Sequence, residues 1–231
     1  MIRAVFFDFN GVIVDDEPVH FELFQKVLEE EGLKLSKKGY YEKYLGMDDH
    51  DCFTTAIRDQ GKSLTEDKIE GLIERKAGYY QKKMAQQPPF VPGALEIVKD
   101  LGQTHYLAVV SGALRSEIEF LLKLGGIQEQ FSVVVAAGEV AHGKPKPDGY
   151  QKAMALLNRD FVASSERLLP EECLAIEDSH WGIESAQAAG MVSLGVTTTY
   201  EEKELPGALY CLKDFSKLSG EELLKRAEAS R

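Results

Sequence analysis

Short runs rich in β-branched and aromatic residues alternate with longer stretches of helical periodicity over most of this chain. The apolar runs are Val5 to Asp8, Tyr106 to Ser111, Ser132 to Ala136, Leu174 to Glu177 and Val192 to Val196. Several are apolar on both faces, as expected of strands covered by helices on both sides, and their alternation with helical segments predicts a parallel sheet. One interval breaks the rhythm. Between Asp16 and Pro88 the pattern is all helical: Phe21, Phe24, Val27 and Leu28 form a helix face ended by Gly32. A second long helix, carrying Ile69, Leu72, Ile73, Lys76 and Tyr80, is expected after Ser63, with Glu66 completing a capping box. Pro88, Pro89 and Pro92 mark the return to the sheet, and Ser219 with Glu222 repeats the capping spacing before a terminal helix. The chain therefore reads as an α/β core of residues 1–16 and 89–231, interrupted after its first strand by a helical domain, 17–88.

Composition narrows the partners. Lys+Arg number 27 against 38 Asp+Glu, a formal charge of −11 with no basic run to offset it. Nucleic acid and anionic membrane surfaces are thereby disfavoured. Cys52, Cys173 and Cys211 are odd in number and lack metal-ligand spacing, which points to reduced thiols in a cytoplasm. The apolar N-terminus contains Arg3 and Asp8 and resembles neither a signal peptide nor a membrane span. A soluble cytoplasmic monomer is the expectation.

Four points carry candidate chemistry, each where a strand ends or a helix begins. They are Asp8-Phe9-Asn10-Gly11-Val12, Val109-Val110-Ser111-Gly112, Gly143-Lys144-Pro145-Lys146-Pro147-Asp148 and Ile176-Glu177-Asp178-Ser179. A carboxylate at a strand end can attack phosphorus, and a hydroxyl followed by backbone N–H groups can hold phosphate oxygens. Adjacent acids supply hard oxygen ligands that suit Mg²⁺. Each residue alone also has an ordinary reading: Asp8 as a turn residue, Ser111 as a helix cap, Lys144 as a solvated lysine, and the acidic pair as the start of a helix. Their occurrence together at successive strand ends favours one shared site.

At these residues the chain resembles the haloacid dehalogenase superfamily, and within it the β-phosphoglucomutase-like phosphatases, over nearly its whole length. The resemblance implies a Rossmann-like core with a helical cap inserted after the first strand. It implies that Asp8 is the nucleophile, that Ser111, Gly112 and Lys144 bind the transferring phosphoryl group of a small phosphorylated metabolite, and that Lys144-Pro145 is cis. It also implies that Asp8, the Asn10 carbonyl, Asp178 and Glu177 hold Mg²⁺. Asn10 departs from the family motif, which places a second aspartate there as acid and base. An amide cannot carry a proton, and such help is worth roughly 10²–10⁴-fold in rate. Asn10 is thus either an introduced trap or the mark of a natural branch. Asp16, Glu17 or His20 are candidates to lend the proton.

By the same resemblance, His20, the loop Leu45-Gly46-Met47, and Lys76 face the site from the cap, and Arg115 is a further candidate for substrate contact. Asp48 and Asp49 stand where true β-phosphoglucomutases hold a distal phosphate with arginine, which favours phosphomonoester hydrolysis over mutase chemistry, although His50 or Lys76 could supply an anion contact. The alternatives are β-phosphoglucomutase-like transfer, phosphonate hydrolysis, and a phospholigand binder without turnover. Trp181 is expected to pack beside the acidic pair, and His105, His142 and His180 to be structural.

Overall fold

The computed structural model describes residues 1–45 and 47–231. It separates into two compact units, Met1–Asp15 with Pro89–Arg231, and Asp16–Pro88.

The first unit is built on a parallel sheet. Its strands are β1 (Ala4–Phe7), β2 (Tyr106–Val110), β3 (Val133–Val135), β4 (Cys173–Glu177), β5 (Val192–Val196) and the two-residue β6 (Cys211–Leu212), in the order β3-β2-β1-β4-β5-β6. The five apolar runs of the sequence became β1 to β5. The sixth strand is too short to leave a periodic signal. β1 and β4 are buried at every position, as two central strands covered on both faces must be. Register places Phe7 between Val109 and Ile176, so the residues just beyond each strand emerge along one edge of the sheet.

The second unit is helical: α1 (Glu17–Glu30), the short α2 (Lys37–Gly39) running into a π-helical turn at Tyr40–Tyr44, α3 (Asp49–Asp59) and α4 (Glu66–Gln86). Phe24, Val27 and Leu28 of α1 pack with Cys52, Phe53, Ile57, Ile69 and Leu72 in one apolar cluster, with Phe21 at its margin. Gly32 ends the α1 segment at φ +70°, a left-handed conformation that glycine adopts without strain. The capping box expected at Ser63 is not formed. Thr65 is the N-cap residue of α4 and makes no side-chain cap bond, because the helix starts at Glu66 itself. α3 was not foreseen; it starts at Asp48, whose carboxylate accepts from Asp51 N at 2.8 Å.

The sheet unit is completed by α5 (Ala94–Leu101), α6 (Arg115–Leu124), α7 (Asp148–Asp160), α8 (His180–Ala188) and α9 (Gly220–Ala229). On one face of the sheet, Phe6, Ala108, Val110 and Ala175 form a core with Tyr150, Ala153 and Leu157 of α7 and Ala186 of α8. Ser219 caps α9 by accepting from Glu222 N, as its spacing predicts. Among the described residues, no helix is long and apolar enough to cross a membrane.

Candidate active site

β1 ends in a tight turn. Ile13 N and Val14 N both donate to Phe9 O, Gly11 N donates to Val14 O, and Gly11 adopts φ +74°. The turn leaves Asp8 at the sheet edge, its N–H donating to Ile176 O at 2.9 Å and its side chain 13 % exposed. A β-carbon on Gly11 would stand 1.9 Å from Asp178 Oδ2, so this turn approaches the acidic pair at a distance that only glycine allows.

Lys144 ties the site together. Its ammonium donates to Asp8 Oδ1 at 2.8 Å and to Val110 O at 2.9 Å, and lies 2.6 Å from Glu177 Oε1. The Lys144-Pro145 bond is cis, as the family resemblance implies. Burial disfavours the ammonium, but the carboxylates of Asp8 and Glu177 outweigh it and hold the lysine's pKa above its ordinary value. The acids respond in the opposite sense. Burial, opposed by Lys144 and reinforced by Asp8, pushes Glu177 up to about 7, while burial and the neighbouring carboxylates Asp8 and Glu177 raise Asp178 well above the usual range.

Ser111 follows β2, with its N–H bonded to Val135 O and its hydroxyl accepting from Ala113 N at 3.1 Å. It is not a helix cap. Leu114 is the N-cap residue of α6, so Ser111-Gly112 form a turn ahead of the helix and not its first residues. The acidic pair does not start α8 either; Ser179 caps that helix by accepting from Gly182 N.

The acidic cluster has the chemistry of a divalent cation site. Asp8, Glu177 and Asp178 each offer an oxygen within 4.8 Å of the others. Glu177 Oε2 is buried with no hydrogen-bond partner among the described residues, an acceptor that a bound cation or an ordered water would satisfy. All are hard oxygen donors, the type that suits hard divalent cations.

Several residues in this site left no motif in the sequence. Tyr150 donates its hydroxyl to Glu177 Oε1. Thr198 donates to Gly11 O and Thr199 bonds Asp178, so the loop after β5 braces both the turn and the acids. The run Thr197-Thr198-Thr199 at a strand end was the available signal.

The remaining candidates have the following partners. Arg115 is committed to Glu139, Glu119 and the Val134 carbonyl on the surface. Trp181 is 40 % exposed, and its ring packs against those of His180 and Tyr200. In the helical unit Lys76 is fully buried and bonded to Asp49 and His20, with its ammonium 4.3 Å from the centre of the Phe24 ring. Lys76 is thus paired within the helical unit. His20 also lies 3.3 Å from Asp16, itself bonded to Tyr80, and His50 bonds Glu66 at 2.8 Å. Gly46 lies outside the described residues.

Residues 5–196 match the family of haloacid dehalogenase-like hydrolases. A phosphorylated carbohydrates phosphatase of Thermotoga maritima is 29 % identical over 82 % of this chain and 82 % of its own. β-Phosphoglucomutase from Clostridium difficile shares the fold, with a TM-score of 0.80 at 22 % identity over 99 % of this chain and 98 % of its own. An aspartate-to-asparagine variant of CbbY from Rhodobacter sphaeroides, solved with xylulose-(1,5)bisphosphate, superposes with a TM-score of 0.81 at 25 % identity over 94 % and 96 % of the two chains. With its parallel sheet, its four strand-end motifs in order and a match across most of its length, this chain belongs to the haloacid dehalogenase-like hydrolase family.

Proposed function

We propose that this protein is a Mg²⁺-dependent phosphatase acting on a small phosphomonoester, with a sugar phosphate as the favoured class, and that Asp8 is its nucleophile. The observation that carries the reading is the position of Lys144, bonded at once to Asp8 and Glu177 at the mouth of the sheet. That ammonium offsets the repulsion between a carboxylate nucleophile and an anionic phosphoryl group. Asp8 Oδ attacks phosphorus as the bond to the leaving oxygen breaks, giving an aspartyl phosphate and an alkoxide that takes a proton from solvent; water then attacks phosphorus and gives a proton to solvent as the bond to Asp8 Oδ breaks, releasing inorganic phosphate and restoring the carboxylate. Ser111 and the turn at Gly112 hold the phosphoryl oxygens.

Asp8, Glu177, Asp178 and the Asn10 carbonyl are the residues that would hold Mg²⁺. When bound, the ion supplies positive charge against the phosphoryl oxygens. Asn10 bears on rate and not on ligation, since its backbone carbonyl is unaffected by the side chain. Without a carboxylic acid there, the leaving alkoxide and the attacking water lack their usual proton partner. The helical domain is proposed to act as the cap that selects substrate, and the protein to work as a cytoplasmic monomer.

The sugar phosphate preference rests on the relatives: one is named for phosphorylated carbohydrates and another was solved with a sugar bisphosphate. A panel of phosphorylated metabolites, assayed with Mg²⁺ and with chelator, tests the reading. Phosphate release from at least one sugar phosphate, abolished by chelator and by Asp8→Asn, is expected; release that persists in either case would refute it. Asn10 also favours a second reading, a phospholigand binder without turnover. Ligand binding with no phosphate release, even after Asn10→Asp, would select it.

A further inference from the structure

Two donors converge on one oxygen of Glu177. The Tyr150 hydroxyl donates to Oε1, and Lys144 Nζ lies 2.6 Å from the same atom. The other oxygen, Oε2, is buried and has no hydrogen-bond partner among the described residues. A carboxylate is symmetric, so left to itself it would share donors between its two oxygens. Here both donors are on one side. Tyr150 is placed to enforce this: its ring is fully buried on α7 and packed against Phe6, with ring centres 6.2 Å apart.

Lys144 alone could not hold Glu177 in place. An ammonium has three N–H donors, and those of Lys144 face Asp8, Val110 O and Glu177. A phosphoryl oxygen entering the site must draw on the same group. The tyrosine hydroxyl has no such competing duty.

We propose that Tyr150 is a positioning residue for the cation site: by holding Oε1 of Glu177 it leaves Oε2 as the oxygen offered to a divalent cation, independently of what Lys144 binds. The inference rests on the reading of Asp8, Glu177 and Asp178 as cation ligands. It assigns a role to a side chain that touches neither substrate nor metal, and it accounts for the unpaired oxygen.

The test is equilibrium binding of Mg²⁺ to the full-length protein without substrate, by titration calorimetry, for the wild type, Tyr150→Phe and Asp178→Asn. Tyr150→Phe keeps the ring and its contact with Phe6 and removes only the hydroxyl. A loss of about tenfold or more in cation affinity is expected, the scale found when a hydrogen-bond partner of a ligating group is deleted. Unchanged affinity in Tyr150→Phe, with binding lost in Asp178→Asn, overturns the role of Tyr150 while leaving the cation site standing. Wild-type binding that is absent, or indifferent to Asp178→Asn, overturns the site and the proposal together. A second measurement needs no loss of the hydroxyl: with 3-fluorotyrosine at position 150, the ¹⁹F resonance is expected to move on Mg²⁺ addition with the calorimetric midpoint. A resonance that stays fixed while Mg²⁺ binds refutes the proposal.

Discussion

A β-carbon at Gly182 would stand 1.8 Å from Oε2 of Glu177. The first turn of α8 therefore closes on the acidic pair from one side while the turn at Gly11 closes from the other, and two glycines shape the space in which the carboxylates lie. Gly11→Ala and Gly182→Ala should each cost about 1–3 kcal/mol of stability by forced displacement of a buried carboxylate. Gly11→Ala carries the added strain of φ +74°. Urea unfolding checks the cost. Wild-type midpoints in both variants would mean that the acids relax freely and the close approach is immaterial.

Lys144 is the sole cation bonded to both Asp8 and Glu177 among the described residues. Lys144→Met leaves two facing buried acids without their counter-charge, which should destabilise the protein by about 3–5 kcal/mol in chelator. Phosphatase turnover should fall by at least about 10²-fold. Thermal unfolding and steady-state kinetics read the two effects separately.

Asn10→Asp supplies a proton donor and acceptor where an amide now stands. Turnover should rise by roughly 10²–10⁴-fold with little change in affinity for substrate, because the gain lies in proton transfer. Single-turnover kinetics should place it in breakdown of the aspartyl phosphate as well as in its formation. A variant no faster than the parent would show that proton transfer is not what limits this chain.

Stability should depend on pH in a direction set by the acidic pair. Glu177 titrates near 4.5 when unfolded and is pushed up to about 7 by burial in the fold, and Asp178 is raised as well. Between those values the folded protein binds more protons than the unfolded chain, so stability falls as pH rises. In chelator the melting temperature should decline from about pH 4.5 to 7. Added Mg²⁺ should stabilise most at the upper end, where the ligands are ionised. A cation effect that is flat across this range would dissociate the acids from metal binding.

Within the helical unit, Lys76 is enclosed by Asp49, His20 and Phe24. Lys76→Met should destabilise by about 2–4 kcal/mol through the partly buried Asp49 left without its counter-charge, and Lys76→Met with Asp49→Leu should recover most of it. Calorimetric unfolding of the single and double variants measures the coupling. A double variant no better than the single one would assign the cost to lost packing instead of lost charge.

Local patterns were sufficient for the elements. Short, β-branched runs apolar on both faces, alternating with helical stretches, are the pattern of strands covered on both sides, so β1 to β5 and the parallel sheet followed from the chain alone, as did the helical interruption after the first strand. Family membership was legible too, because Asp8, Ser111, Lys144 and the acidic pair keep their order whatever their spacing. What the chain could not specify were contacts between residues far apart along it. Lys144 meets Asp8 across 136 positions, from the loop between β3 and α7, and only the folded chain brings them together. Which oxygen of Glu177 Tyr150 would reach, that Gly182 would press on that carboxylate, and that Lys76 would be consumed by Asp49 all depend on side-chain packing in three dimensions. Periodicity reports whether a position is buried; it carries no information about which neighbour a buried polar group will find, and at this site that choice decides the chemistry.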